Sequence, residues 1–284
     1  MPGPVAIVTD STAYLPAGAA ERAGVTVVPL LVTIDGVTGE EGVDVSPAEV
    51  ARALADRHRR VTTSRPSPAA FAAAYRAALD TGASGVLSLH LSRELSGTWE
   101  SAALAAAECG GDRRVRVLDT RTVGMGLGFP ALRAAEVAAA GGTLSDAYQA
   151  ACATVERTAT LFYVDTLEHL RRGGRIGAAV ALFGTALSVK PLLRIDDGVV
   201  ELQEKVRTPG RGLRRLAELS AQEAGDREVD VAVHHLAAAD RARQLGELLR
   251  ERLPGLRELV TAELGAAVGA HVGPGVLGVV IVVR

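Results

Sequence analysis

Between the apolar run 85–91 and the alanine-rich run 102–108 lies SRELSGTWES (92–101), which crowds Ser92, Ser96, Thr98 and Ser101 around Gly97 and Trp99. A strand-to-helix turn needs one cap and one glycine, so the surplus of hydroxyls reads as a site. TDST (9–12) and TTSRPS (62–67) are similarly dense in hydroxyls and also follow or end apolar runs. In open α/β sheets ligands collect at the carboxyl ends of the strands, which is where all three segments are expected. Hydroxyls also cap helices, and that is the expected role of Ser46, Ser67 and Ser145. At 96–98 capping explains less, because Ser96 alone could cap, and Gly97 then admits a close backbone approach that no cap requires.

GAHVGPG (269–275) sets His271 among glycines and a proline immediately before the apolar run 276–283, which predicts a positioned imidazole on a constrained turn. Ser96 and His271 would make a nucleophile–base pair if the fold joins them, although Ser96 lies in no GxSxG elbow. Other chemistries are excluded. No GxxxxGK[ST] is present, GMGLG (124–128) lacks the spacing of a dinucleotide loop and suits close helix packing, and the histidines at 58, 90, 169, 234, 235 and 271 show no metal-ligand spacing. RRGGRIG (171–177) combines a Gly-Gly helix stop with three arginines. Those cations complement a helix C-terminus, or form a knob for an acidic partner or a phosphate.

The elements that must hold these residues alternate. Apolar, β-branched runs at 4–9, 25–30, 85–91, 114–120, 160–164, 229–235, 256–262 and 276–283 are separated by helical patterns, the signature of βαβ units and a buried, largely parallel sheet. Ser46-Pro47-Ala48-Glu49 is a capping box, Ser67-Pro68 repeats the Ser-Pro start, Pro16 is expected to open the first helix, and Gly82, Gly141-Gly142 and Gly173-Gly174 mark stops. Asp-Gly pairs in TIDGVT (33–38) and IDDGVVEL (195–202) predict hairpins. The reading is an α/β protein: an N-terminal parallel-sheet domain over 1–158, carrying the hydroxyl-rich loops, and a mixed α/β domain over 159–284. A cleft between the two is the default ligand site.

With 284 residues, 48% of them hydrophobic, the chain can bury a sizeable core. Aromatics make up 3% and the net charge is -2, which leaves neither stacking faces nor a basic footprint for nucleic acid. Cys109 and Cys152 lack CxxC spacing and are expected as buried free thiols. The opening MPGPVAIVTDS has no basic leader, and no apolar run approaches the roughly 18 residues of a membrane span. A soluble, cytoplasmic protein is expected.

Taken together, TDSTAYLP, TTSRPS, LSGTWESA, DTRTVGMGLG, LRRGGRIG, SVKPLLRIDDGVVE with KVRT, and HVGPGVLG run in order from residue 9 to 278, and in these the chain resembles the DegV family of bacterial fatty-acid-binding proteins. It departs in Arg65, where the family commonly has Gln, and in Trp99, where Tyr is usual. The resemblance implies a carrier without catalytic residues, cofactor or metal, holding one long-chain fatty acid between two domains. Thr63 and Ser96 would bind the carboxylate with His271 close by, and Ser64 and Gly97 lie in the same loops. It further implies an ATP-binding fatty acid kinase subunit that phosphorylates the carboxylate to an acyl phosphate for phospholipid synthesis, with Arg172 and Arg175 as partner contacts. Neutral O–H donors suit that task, because they hold the head group without fully neutralising it. The apolar stretch AAVALFGTALSVKPLL (178–193) is expected to be a buried helix lining the acyl chain. The competing reading is a Ser/His hydrolase or acyltransferase using Ser96 and His271, with Asp10 at a strand tip as the orienting acid.

Overall fold

The computed structural model describes residues 3–56, 58–177 and 189–284. In chain order its elements are β1 (Val5–Asp10), α1 (Ala19–Ala23), β2 (Val25–Val28), β3 (Leu31–Ile34), β4 (Val37–Glu40), α2 (Pro47–Ala55), β5 (Val61–Ser64) and α3 (Pro68–Asp80). Next come β6 (Gly85–His90), α4 (Thr98–Glu108), β7 (Val115–Asp119), α5 (Met125–Ala139), α6 (Leu144–Glu156), β8 (Thr158–Tyr163), α7 (Glu168–Arg172) and β9 (Lys190–Asp196). The chain closes with β10 (Val199–Val206), α8 (Pro209–Ala224), β11 (Val229–His235), α9 (Ala239–Arg252), β12 (Leu256–Glu263), α10 (Ala266–Val272) and β13 (Leu277–Val283).

Two compact units result: Met1–Leu31 with Ser64–Glu156, and Val32–Thr63 with Arg157–Arg284. The later boundary between the units falls at Glu156/Arg157. Val32–Thr63, however, expected in the first domain, groups with the second unit. The reason is that β3, β4 and β5 form a sheet of their own, α2 packs on α10, and Glu41 reaches the backbone of Ala267.

The first unit is built on a parallel sheet of order β2-β1-β6-β7. One face carries Phe71, Tyr75, Ala102 and Ala105 from α3 and α4, and the other Leu127, Ala131, Ala134, Ala147 and Ala151 from α5 and α6. With both faces covered, every residue of β6 is buried, its polar Ser88 and His90 included, so its sequence does not alternate between an apolar and a solvent-facing side. The chain leaves β1 toward β2 on one side, and β6 toward β7 on the other, so the carboxyl ends of β1 and β6 flank the point where strand order reverses. The second unit carries a mixed sheet of order β10-β9-β8-β13-β11-β12, antiparallel except for β11–β12. Leu213, Leu216, Leu245 and Leu249 of α8 and α9 cover it around Leu161, Val231 and Ile281.

Local signals act as read. Ser46 and Glu49 close a reciprocal capping box, and Ser67 accepts from Ala70 N. Asp35-Gly36 and Asp197-Gly198 all have positive φ, as tight primed turns require. Gly128 lets α5 approach Ala13, where a Cβ would stand 2.9 Å from its carbonyl, which explains GMGLG by packing. Three details differ. Helix α1 starts after Gly18 and not at Pro16, whose carbonyl only accepts from Ala19 N. Helix α6 is capped by Thr143, paired with Asp146, and not by Ser145. Residues 178–188 lie outside the described residues, while Lys190–Leu193, the end of the expected acyl-lining helix, begin strand β9 because they pair with β10.

Candidate functional site

The turn that carries Ser96 is held by its backbone. Leu91 N donates to Asp10 Oδ2 (3.1 Å), Ser92 N to Thr122 O (2.9 Å), and Leu95 N and Ser96 N both to Ser92 O. Asp10 is the hub of this end of the parallel sheet: its Oδ1 accepts from Thr12 N and Oγ1, and its Oδ2 also faces His90 Nδ1 at 3.0 Å. Beyond the imidazole, His90 Nε2 meets Ser88 Oγ at 2.7 Å, and Tyr75 donates its hydroxyl to that serine at 2.8 Å. All four side chains of this Tyr–Ser–His–Asp chain are wholly buried. One donor answers each acceptor when Nδ1 carries the imidazole proton, so the network is fully satisfied. Burial pushes the Tyr75 hydroxyl well above its ordinary pKa, which keeps it a donor.

Ser96 is not the cap of α4. The N-cap is Gly97, no side chain caps the helix, and Ser96 Oγ lies 2.9 Å from Thr98 Oγ1. Its hydroxyl is therefore available beside a second one, which the capping reading did not allow. The open face of Gly97 is taken by Arg65, whose Nη1 donates to Gly97 O at 3.2 Å. Trp99 stacks with Arg93, the guanidinium carbon 5.7 Å from the ring centroid.

In the second unit Thr63 belongs to β5, so TTSRPS is a strand end rather than the loop expected, and Ser64 is exposed. Thr63 Oγ1 lies 2.8 Å from His271 Nε2. His271 sits in the last turn of α10 and not on the Gly-Pro turn that follows, because the helix runs on to Val272. Burial first, and the nearby Arg175 second, lower its pKa to about 4, so the imidazole is neutral at pH 7. Its Nδ1 is buried and meets no hydrogen-bonding partner among the described residues. An unpaired buried N–H costs about 1–3 kcal/mol, more than an idle lone pair, so the proton belongs on Nε2. Nε2–H then donates to Thr63 Oγ1, and the threonine hydroxyl is free to donate onward.

Two glycine–histidine contacts lock this region. A Cβ on Gly173 would collide with the His271 ring, and one on Gly273, at φ +77°, would collide with the His169 ring. RRGG and HVGPG thus interlock, each giving an imidazole a glycine to rest on. Glu41, which the sequence did not single out, is buried and accepts from Ala267 N at 2.6 Å, at the start of α10. Gly265, the N-cap of α10, has no side chain to do so. The arginines of the expected cationic knob are engaged within it. Glu168 takes both Arg171 (2.8 Å) and Arg172 (2.7 Å), which hold its carboxyl down to about 2, while Arg175 donates to Gly173 O. A further cluster that went unread joins Asp165 to Tyr163 (2.6 Å), Arg241 (3.2 Å) and Lys190 (3.9 Å), and Arg241 also holds Gly275 O. Among the described residues there is no group of three or more His, Cys, Asp or Glu placed to hold a metal, and no helix long and apolar enough to cross a membrane. Cys109 and Cys152 are free thiols; Cys109 is buried as expected, whereas Cys152 is only partly so.

The profile of a family described as an uncharacterised protein of the DegV family matches residues 4–284. The chain belongs to the DegV family. A DegV domain-containing protein of Streptomyces coelicolor is 56% identical over 277 residues, covering 98% of each chain. Among solved structures, the DegV family protein from Thermus thermophilus, described by its fatty acid binding, superposes with a TM-score of 0.93 at 36% identity, covering 99% of this chain and 100% of that one. DegV from Bacillus subtilis, described as a fatty acid binding protein, gives 0.88 at 31% identity, with 99% and 100% covered. The α/β architecture of a parallel N-terminal sheet and a mixed C-terminal sheet is that of these DegV proteins.

Proposed function

We propose that this DegV protein binds one long-chain fatty acid, its carboxylate held by the hydroxyls of Thr63 and Ser96, with His271 behind Thr63 and with Ser64 and Gly97 in the same segments. The observation that carries the reading is the Thr63–His271 hydrogen bond of 2.8 Å, because an imidazole donating from Nε2 polarises the threonine and turns its proton toward an anion. Burying an acyl chain of roughly 16 carbons, at about 0.8 kcal/mol per CH₂, contributes on the order of 10 kcal/mol before ordering costs. The carboxylate, by contrast, leaves water only if donors replace its hydration. Relatives at 36% and 31% identity described as binding fatty acids support the same reading.

The protein on this reading is a carrier. It presents the carboxylate to a separate ATP-binding kinase subunit for conversion to acyl phosphate and use in phospholipid synthesis, with Arg172 and Arg175 at the partner surface. No cofactor enters its own part of the task. Hydrolysis at Ser96 is disfavoured, since no acid meets His271 Nδ1 among the described residues and both oxygens of Asp10 are engaged by His90, Leu91 and Thr12.

Native mass spectrometry of the purified protein tests the proposal. A mass increment of one fatty acid, released on denaturation, is expected, whereas a covalent acyl group on Ser96 would establish the hydrolase instead. Thr63→Val and Ser96→Ala should each weaken palmitate binding about tenfold, the worth of one charge-assisted hydrogen bond. Unchanged affinity in both would remove these residues from the site.

A further inference from the structure

Arg65 lies along Gly97. A Cβ there would overlap its Nη1 and stand 3.0 Å from Cζ and 3.1 Å from Cδ, so the contact runs from the stem to the guanidinium and only glycine admits it. One of its five N–H groups goes to Gly97 O. The side chain is exposed, and among the described residues it meets no carboxylate, unlike Arg76, Arg93 and Arg133 of the same unit, which pair with Glu108, Glu94 and Glu136. Among the described residues, a planar cation with no carboxylate partner thus lies against the residue next to Ser96, whose own hydroxyl is shared with Thr98.

We infer that Arg65 reads the charge of the lipid head group: it gives the Ser96 turn the formal positive charge that hydroxyls lack, so that an ionised carboxylate is selected over a neutral lipid of equal chain length. The inference rests on the fatty-acid reading above. In this geometry a side chain at 97 would push the guanidinium away. The flat fork of arginine also suits a carboxylate, which accepts two parallel N–H bonds.

Equilibrium dialysis of the full chain with radiolabelled palmitate and hexadecanol at pH 8, in low and high sodium chloride, tests it. Arg65→Gln is expected to weaken palmitate binding about tenfold and to flatten its salt dependence, while hexadecanol binding stays within twofold. Arg65→Lys is expected to keep the salt dependence and recover part of the affinity. Palmitate binding by Arg65→Gln equal to that of the unaltered protein at both salt concentrations overturns the inference and leaves the fatty-acid reading standing. An equal loss of palmitate and hexadecanol overturns it as well, because the effect is then on the fold. Failure of the unaltered protein to bind palmitate overturns both.

Discussion

Asp10 shows how much one carboxylate can organise. Its two oxygens serve Thr12, His90 and the backbone of Leu91, and removing it strands buried donors on all three. Asp10→Ala should therefore cost about 3–5 kcal/mol of stability, seen as a lowered midpoint in urea denaturation, because the loss exposes uncompensated groups rather than one net hydrogen bond. The sequence pointed at Asp10 as an acid for catalysis, since a carboxylate at a strand tip is legible from the TDST string. That its partner is His90, 80 residues away, depended on β1 and β6 lying side by side. Ser96 carries the converse lesson. Its hydroxyl does not cap α4, and the open backbone expected at Gly97 is met by an arginine that spacing along the chain could not bring there.

Helix α10 illustrates how a short element is held from outside. Seven residues sustain little helix on their own, and its start is tied to Glu41 while its end rests against the RRGG segment. Glu41→Ala should lower the melting temperature by several degrees, as a buried N–H loses its acceptor, and Glu41→Gln should restore most of it. Gly173→Ala should displace the His271 ring and break its bond to Thr63. A shift of the His271 ring resonances in NMR, with weakened palmitate binding, is the expected result, and an unmoved imidazole would contradict the interlock. Element starts such as Ser46-Pro47 and Ser67-Pro68, and turns such as Asp35-Gly36, were legible because the side chain that fixes them is adjacent in sequence. Glu41 left no such trace, since its target lies 226 residues further on.

Across the second unit, neutral buried histidines set the response to acid. Burial lowers the pKa of both His234 and His271 to about 4, against an unfolded value near 6.5. Between these values the unfolded chain binds protons that the native state refuses, so stability is full above pH 6.5 and declines as pH falls toward 4. At pH 5 each histidine should cost on the order of 2 kcal/mol relative to pH 7, measurable by urea titration, and His271→Asn should show a shallower decline. Reductant should leave the melting temperature unchanged, as Cys109 and Cys152 are free thiols. Strand runs, hairpin turns, most helix boundaries and the family signature were available from the string of residues, because periodicity, capping and turn preference are encoded by neighbours within a few positions. The grouping of Val32–Thr63 with the C-terminal sheet, the pairing of Thr63 with His271 and the seating of Arg65 on Gly97 came from the folded chain. Partners at such separations are chosen by strand order and by which surfaces pack together, and no local preference carries that information.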